Sequence, residues 1–337
     1  MFTAMFGAVE AGVIFAIMAL GVYLTFRILD FPDLTVDGSF VTGAAIAAML
    51  IVSGTDPFIA TLASLGIGFV AGSITGVLHT KGKINPLLSG ILMMIALYSI
   101  NLRIMDKKSN VPLRGEETIF TKIEAWFNGL GINEGMNRLL EMIGLGNYTP
   151  KTWSVLFFMI IVTLFVKVFV DWFLKTEIGL ALRATGDNQR MIRSFSANTD
   201  YFIILGLGIS NALVATSGAL FAQYTSFADI GMGIGMIVIG LASVIIGEAI
   251  VGTKTIARAT LAVIIGAIIY RIVLALALQI DFFDTGDMKL ITASIVIIAL
   301  IIPRILQVRK EQARKKKRMQ DHRLAMGKEG EDVATIK

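Results

Sequence analysis

Long apolar runs, separated by short polar stretches, make up most of the chain. Those in the first half extend from about Met5 to Phe26, Phe58 to Leu78, Ile84 to Leu102 and Trp153 to Phe173, and the later ones cover Tyr201 to Gln223, Met236 to Val251, Ala259 to Leu278 and Lys289 to Ile302. A helix of about 20 apolar residues spans the hydrocarbon core of a bilayer. The pattern therefore predicts an all-α, polytopic membrane helical bundle of about eight to ten transmembrane helices. This membrane domain would cover residues 1–303, with a basic tail over residues 304–337.

The segment after the first run departs from this pattern. The sequence FRILDFPDLTVDGSF, from Phe26 to Phe40, contains acidic residues, a proline and a glycine, and apolar sequence resumes only from Val41 to Val52. This second stretch, about twelve residues long, is too short for a standard crossing. Irregular backbone at membrane depth is tolerated where protein or water satisfies its polar groups, and broken helices often mark a substrate path. We expect a broken or re-entrant segment here, the alternative being a plain cytoplasmic turn with solvated acidic residues.

A charged island lies between two apolar runs at residues 177–200. It holds three arginines, and an excess of arginine is typical of loops on the cytoplasmic side. Leucine and alanine residues that follow Gly179, with a polar flank beside them, predict a short docking helix that Gly186 would end or bend. The alternative is an ordinary solvated loop.

The mixed, polar stretch over residues 103–151 follows the fourth apolar run. Counting crossings from the cytoplasmic island places this insert on the external side. Two pieces of it, Glu117 to Phe127 and Met136 to Ile143, are amphipathic. We expect their apolar faces to pack on the membrane surface, with closure of the external mouth or docking of a binding protein as the alternative.

Polar residues inside the later crossings are candidates for the lining of a pathway. Asn211 lies near the middle of a run rich in small residues, which predicts an interior helix, and there a pore-facing position competes with an interhelical hydrogen bond. Arg271 lies near the centre of its run, where an unpaired cation is costly. Glu248 is the obvious partner, but it lies roughly 6 Å from the cytoplasmic end of its helix and Arg271 roughly 20 Å in, so the two would miss each other. Arg271 would then face a hydrated cavity or extend outward.

Composition excludes several classes of function. With 55% hydrophobic residues, 16% charged residues and a mean hydropathy of +0.76, the chain leaves no separate soluble domain. The net charge of +5 comes from loop ends and the tail, as expected beside a cytoplasmic membrane surface, so we expect no nucleic-acid partner. The lack of cysteine, with only His79 and His322, argues against thiol catalysis and a metal site. No basic residue precedes the first run, so we expect a retained helix rather than a signal peptide.

Several motifs together resemble the branched-chain amino acid type permeases of ABC importers. They are GLALRATGDN followed by SANTD, then SFADIGMGIGM and GLASVIIG in that order, with VDGSF after the first crossing. The resemblance implies that residues 175–200 form the cytoplasmic segment that sits in a cleft of the ATPase subunit. The coupling residues that it implies are Glu177, Gly179, Arg183, Ala184, Gly186, Asp187 and Asn188.

The resemblance also bears on the translocation pathway. The family carries a glycine-containing polar motif after the first crossing, inside the membrane domain. Asp37 and Gly38 therefore join Asn211 and Arg271 as pathway candidates. The better-known members differ in sequence at this motif, so their substrate contacts do not transfer to this chain.

The chain is thus expected to be the permease subunit of a binding-protein-dependent importer, with no enzymatic activity of its own. It contains no GxxxxGK[ST] phosphate loop, so ATP and Mg²⁺ would be bound by separate cytoplasmic ATPase subunits and this chain would hold no cofactor. The other expected partners are an external substrate-binding protein or lipoprotein, membrane lipid and a second permease copy in a homodimer. The expected location is a bacterial-type plasma (inner) membrane, with the C-terminus in the cytoplasm.

An amino acid is the expected substrate, because the VDGSF branch resembles permeases for aromatic amino acids, tryptophan among them. Related permeases carry sugars or nucleosides, which stay open as alternatives. A secondary transporter of a small polar solute would also use broken helices, but it would need an ion gradient and no ATPase. An intramembrane enzyme would need a catalytic pair, which two peripheral histidines and no cysteine do not supply.

Overall fold

The structure is a computed structural model that describes residues 2–142, 152–195, 197–279, 290–291, 293–295, 297 and 301. Over these residues the chain is predominantly helical, as the apolar pattern predicts. Three parts of the sequence lie outside the described residues. They are the predicted basic tail over residues 304–337, the acidic stretch over residues 281–287 and most of the last predicted crossing.

The helices of the described part follow the predicted order. They are α1 (Phe2–Tyr23), α2 (Thr35–Val52), α3 (Pro57–Thr80), α4 (Pro86–Ile104), α5 (Ile119–Gly129), α6 (Ile132–Met142), α7 (Ser154–Phe173), α8 (Glu177–Ser194), α9 (Thr199–Thr225), α10 (Met236–Val251) and α11 (Ile256–Ala277). A π-helical turn, Leu24–Ile28, extends α1. Among the described residues, 7 helices are long and apolar enough to cross a membrane, and α10 is a shorter apolar helix. The predicted polytopic bundle is therefore confirmed.

Capping residues determine where several of these helices begin. Asp56 and Asn85 each precede a proline at the first helical position, and each side chain accepts a hydrogen bond from the second helical N–H. An N-cap oxygen satisfies an amide that has no partner inside the helix, and proline in the first turn leaves no amide unpaired. The Asn85–Pro86 pair begins α4 in this way.

Helix α9 lies at the centre of the bundle, where α1, α2 and α3 all pack on it. Nearly all of its residues from Gly206 to Gln223 are buried. Small residues allow this because they bring backbones into contact: a Cβ added at Gly72 of α3 would lie only 2.1 Å from the Leu207 carbonyl oxygen. Close approach of this kind is the usual basis of helix association in lipid. The predicted interior position of this small-residue helix is confirmed.

The break after the first crossing is present, but its far boundary differs from the prediction. Helical structure ends at Ile28 and resumes at Thr35, so α2 has 18 residues and is long enough to count as a crossing. The predicted start of this helix at Val41 is wrong. Asp33 explains the early start, because its Oδ1 accepts a hydrogen bond from the Thr35 N–H at 2.9 Å.

The insert that follows α4 is attached to the bundle by a small sheet that the sequence did not predict. Strand β1 (Asn110–Pro112) pairs antiparallel with β2 (Phe227–Asp229) in the turn after α9. Helix α5 packs on α7 through Phe127 and Phe157, whose ring centroids are 6.4 Å apart, while Trp126 is exposed. Part of the apolar face of α5 thus contacts protein, and the packing of the rest on the membrane surface stays a prediction. Three-residue strands carry no periodic signal, which is why the sheet was missed.

Candidate coupling surface and translocation cavity

Helix α8 contains all seven predicted coupling residues and packs on the first crossing. Thr176 caps its N-terminus by accepting a hydrogen bond from the Gly179 N–H at 3.2 Å. Gly179 and Leu182 are buried, whereas the side chains of Glu177 and Asp187 are exposed. The sequence therefore predicted a helix here correctly, and the exposed acidic side chains are the ones available to another protein.

The bend in α8 lies at Asn188 and not at Gly186, where the sequence placed it. Asn188 has non-helical angles of φ −157° and ψ 88°, and its Oδ1 accepts a hydrogen bond from the Met191 N–H, as a cap does for a new helix. Gly186 serves close packing: a Cβ there would lie 1.9 Å from the Ile28 carbonyl oxygen. Helix α8 therefore contacts the backbone at Ile28, where the helix of the first crossing ends.

Buried polar side chains hold the break itself in place. Asp33 is fully buried and its Oδ2 accepts a hydrogen bond from Asn211 Nδ2 at 2.7 Å. On the next turn, the hydroxyls of Thr35 and Thr75 lie 2.8 Å apart and share a hydrogen bond. Asn211 thus donates a hydrogen bond to the non-helical break and not to another helix, and its Oδ1 has no partner among the described residues. Its part in a translocation pathway stays a prediction.

Asp37 links the start of α2 to the start of α10. Its Oδ2 accepts a hydrogen bond from the Gly235 N–H at 3.0 Å, and its Oδ1 accepts one from the Ile237 N–H at 2.8 Å. A carboxylate in this position caps the helix and interacts favourably with its dipole. The glycine-rich turn makes the approach possible, because a Cβ at Gly233 would lie 2.1 Å from the Asp37 carbonyl oxygen.

A cavity of about 520 Å³ lies beside this contact, between α2, α4 and the turn before α10. Its wall is mostly apolar. Residues of the wall include Asp37, Gly38, Val41, Tyr98, Asn101 and Ile234. Small-molecule sites are commonly concave and apolar with a few polar groups, so this cavity brings two of the predicted pathway residues, Asp37 and Gly38, to a plausible binding surface.

Asn101 is a residue of this wall that sequence reasoning missed. The last predicted residue of this apolar run was Leu102, but the helix continues to Ile104 and leaves Asn101 inside it. The side chain is fully buried, and its Nδ2 donates a hydrogen bond to the Gly38 carbonyl at 3.1 Å. The available signal was an amide in an otherwise apolar helix.

Arg271 lies away from the wall of this cavity, among aromatic rings. Its guanidinium carbon is 4.2 Å from the centroid of Phe15 and 5.8 Å from that of Phe221, a geometry in which the rings stabilise the cation. Its Nε has no hydrogen-bond partner among the described residues. Glu248 pairs with Arg27 at 2.9 Å, in agreement with the argument that it could not reach Arg271. The role of Arg271 in transport stays a prediction.

A bundle of membrane-spanning helices with a broken first segment, a polar helix packed on that break and an apolar cavity near its other side defines an integral membrane transport protein. The family described as the permease component of branched-chain amino acid transport systems matches residues 4–302. The chain belongs to this family. It is the permease subunit of an ABC importer and not itself an enzyme, as the sequence motifs predicted.

Curated relatives extend over most of the chain. A tyrosine transport system permease protein of Clostridioides difficile (strain R20291) is 43% identical over 288 residues, which are 86% of this chain and 87% of the relative. An uncharacterized protein of Rickettsia prowazekii (strain Madrid E) is 34% identical over 297 residues, 87% of this chain and 95% of its own. A ribose import permease protein of Escherichia coli (strain K12) is 23% identical over 241 residues, 69% of this chain and 65% of its own. No solved structure matches the chain.

Proposed function

We propose that this permease imports an aromatic amino acid that an external binding protein delivers. The identity to a protein named as a tyrosine transport permease supports this choice, and the sugar permease is a more distant relative. The observation that carries the proposal is the cavity at Asp37, which combines an apolar wall, the exposed ring of Tyr98 and a carboxylate. Such a surface suits a small solute with an apolar body and a polar head.

ATP hydrolysis on partner subunits would act through α8. Closure of two ATPase subunits would press on α8, which meets the break at Ile28 through Gly186. Displacement there would reach Asp33 and then Asp37, the residue that joins α2 to α10. In this mechanism the helices switch the pathway between outward and inward access without any covalent step in this chain.

The end of the bundle that carries α8 would face the cytoplasm. Lys83 and Arg193 line one surface pocket there, and Arg183 and Lys254 line another. A concentration of basic side chains at one end is the topological signature of the cytoplasmic side. The external insert, at the end where β1 meets β2, would then receive the binding protein, and a second copy of the chain would complete the pathway as a homodimer.

The test is uptake of labelled tyrosine, tryptophan, phenylalanine, leucine and ribose by proteoliposomes. The vesicles contain the permease with its partner ATPase and binding protein, and ATP is enclosed on the ATPase side. We expect uptake of at least one aromatic amino acid that requires ATP and is lost when the ATPase cannot hydrolyse it. Uptake of ribose in preference to all amino acids would contradict the proposed substrate.

A second arm tests the mode of energy coupling. Proteoliposomes with the permease alone are given a proton or sodium gradient and no ATP. We expect no accumulation. Concentrative uptake under these conditions would favour a secondary transporter and contradict the proposal.

A further inference from the structure

Two acceptor groups in the wall of the cavity lack a partner among the described residues. The Asp37 carboxylate lacks a cation, and the Asn101 Oδ1 lacks a donor. The carboxylate of Asp37 receives one backbone N–H on each oxygen and forms no ion pair with any side chain in the described part of the chain. Asn101 is fully buried, and its Oδ1 has no partner among the same residues. An unsatisfied buried acceptor is rare in native proteins and requires an explanation.

The orientation of the Asn101 amide follows from its neighbour. The Gly38 carbonyl oxygen can only accept, so the group of Asn101 that faces it at 3.1 Å must be the Nδ2 donor. The Oδ1 is therefore the atom left without a partner. Thr42 Oγ1 donates to the same carbonyl at 2.9 Å, but Thr42 is not part of the cavity wall. Asn101 and Asp37 thus line one cavity on either side of Gly38, and the Oδ1 of Asn101 is buried in this wall without a partner among the described residues.

An organic ammonium group complements this pair of acceptors. It carries three N–H donors and one positive charge, which satisfy a carboxylate and a neutral carbonyl oxygen together. Asp37 is partly buried and its charge already interacts with the start of α10, and a bound ammonium supplies the cation that it lacks among the described residues. The rest of the wall is mostly apolar, with Tyr98 as its aromatic member, and this favours an apolar or aromatic body on the same ligand.

We propose that Asp37 and Asn101 form the subsite for the ammonium group of the transported solute, with the apolar wall around Tyr98 taking its side chain. This deepens the proposed function, on which it rests for the identity of the solute as an amino acid. It adds the atoms that recognise the head group. It also requires the permease itself to select for a primary amine, in addition to any selection by the binding protein.

The test measures binding to the permease without the binding protein. The permease–ATPase complex is held in lipid nanodiscs, and equilibrium binding is measured for two probes that share one aromatic ring. Tyramine carries the ammonium group without a carboxylate, and 3-(4-hydroxyphenyl)propionate carries the carboxylate without an amine. We expect tyramine to bind about tenfold more tightly than the acid, since a hydrogen-bonded charge pair contributes that much or more.

Two variants and one control locate the effect. Asp37→Asn removes the charge, and Asn101→Leu removes the free acceptor while keeping a similar volume; each is expected to weaken tyramine binding about tenfold. Thr42→Val removes the other donor to the Gly38 carbonyl outside the cavity, and it should leave tyramine binding unchanged. Because Asp37 also caps α10, thermal stability and retention of the ATPase are measured for every variant. If Asp37→Asn does not fold, the binding result for Asn101→Leu alone decides the test.

The outcomes separate this subsite from the proposed function. Equal binding of both probes, no tyramine binding at all, or the same loss in Thr42→Val as in Asn101→Leu would overturn the subsite, even if ATP-dependent uptake of tyrosine is observed. Failure of aromatic amino acid uptake would overturn the proposed function. Tyramine binding that is lost in both cavity variants would still support the ammonium subsite in that case.

Discussion

At the scale of single residues, the clearest electrostatic contact outside the membrane joins the insert to the loop before α3. Lys122 Nζ lies 2.6 Å from Asp56 Oδ2. The hydrogen bond from Lys122, followed by the one from the Phe58 N–H, holds the pKa of the Asp56 carboxyl below its ordinary value. Both side chains are partly exposed, so the pair contributes little to stability and serves mainly to position α5.

A titration of Asp56 checks this contact. A carboxyl whose pKa is lowered in the folded state stabilises the fold above its ordinary pKa of about 4, and this contribution disappears as the pH falls through the lower folded value. We expect an NMR titration of the Asp56 carboxyl to show the lowered midpoint, and Lys122→Met to raise it towards the ordinary value. An unchanged midpoint in the variant would show that Lys122 is not the cause.

Gly186 is the residue whose substitution should most directly disturb coupling. In Gly186→Ala the new Cβ would meet the backbone carbonyl of Ile28, which cannot rotate away as a side chain would. Helix α8 must then move off the break. We expect ATP-dependent uptake to fall by about tenfold, which corresponds to about 1.4 kcal/mol.

The control for this change is Gly129→Ala, because a Cβ at Gly129 meets no atom within 4 Å. Uptake by this variant should match that of the unmodified permease. Full activity of Gly186→Ala in the same assay would mean that α8 does not act through its contact with Ile28.

At the scale of helices, the packing of α3 on α9 depends on a spaced row of glycines. A Cβ would lie 2.4 Å from the Ala215 Cβ if added at Gly68, and 2.1 Å from the Leu207 carbonyl oxygen if added at Gly72. These contacts leave no room for a methyl group on that face. Gly66 in the same helix is exposed, and a Cβ there meets nothing within 4 Å. One helix therefore offers both a test and its control.

Alanine should lower the stability at a packed glycine of α3 and leave it almost unchanged at an exposed one. Gly72→Ala overfills the α3–α9 interface and is expected to cost about 1–3 kcal/mol. Gly66→Ala should change stability by less than about 0.5 kcal/mol. Thermal unfolding of the two variants in the same detergent gives the comparison, and equal melting temperatures would show that the row of glycines does not set the helix contact.

Helices of this kind could be predicted from the sequence because lipid forces long apolar runs, and the start of α4 was marked by Asn85 and Pro86. The start of α2 could not be placed, because the acidic residues read as a solvated turn. In the structure Asp33 pairs with Asn211 and Asp37 caps α10, so both carboxylates are used by partners more than 170 residues away. No local pattern reveals a partner at that distance.

At the scale of the whole molecule, the candidate site was predictable in its parts and not in its connections. Helix α8 was found from its pattern of apolar and polar residues, and the roles of α8 and of the motif around Asp37 were inferred from their resemblance to a family. Their relation depends on the contact between Gly186 and Ile28, which no spacing in the sequence indicates. Asn101 was missed for a similar reason, since its significance lies in the Gly38 carbonyl that it meets on another helix.

One continuous series of contacts leads from α8 to the cavity. Gly186 of α8 meets Ile28, the break leads to Asp33, and α2 carries the connection on to Asp37 at the cavity wall. Coupling between separated sites requires an element with two arrangements that both sites bias. We expect the break between Ile28 and Thr35 to be this element, because α8 packs on one end of it and the cavity helix begins at the other.

A substitution of Asp33 should interrupt this series of contacts. Asp33→Ala removes the acceptor for Asn211 and the acceptor for the Thr35 N–H at the start of α2, so the break loses its hydrogen bond to α9. We expect ATP hydrolysis by the complex to continue while the amount of solute carried per ATP falls about tenfold, a coupling change of about 1.4 kcal/mol. Ser210→Ala is the matched control, because it removes a buried hydrogen bond from α9 to the Gly21 carbonyl outside the break. If both variants lose transport and hydrolysis in the same proportion, the effect is one of general stability, and the route through Asp33 is wrong.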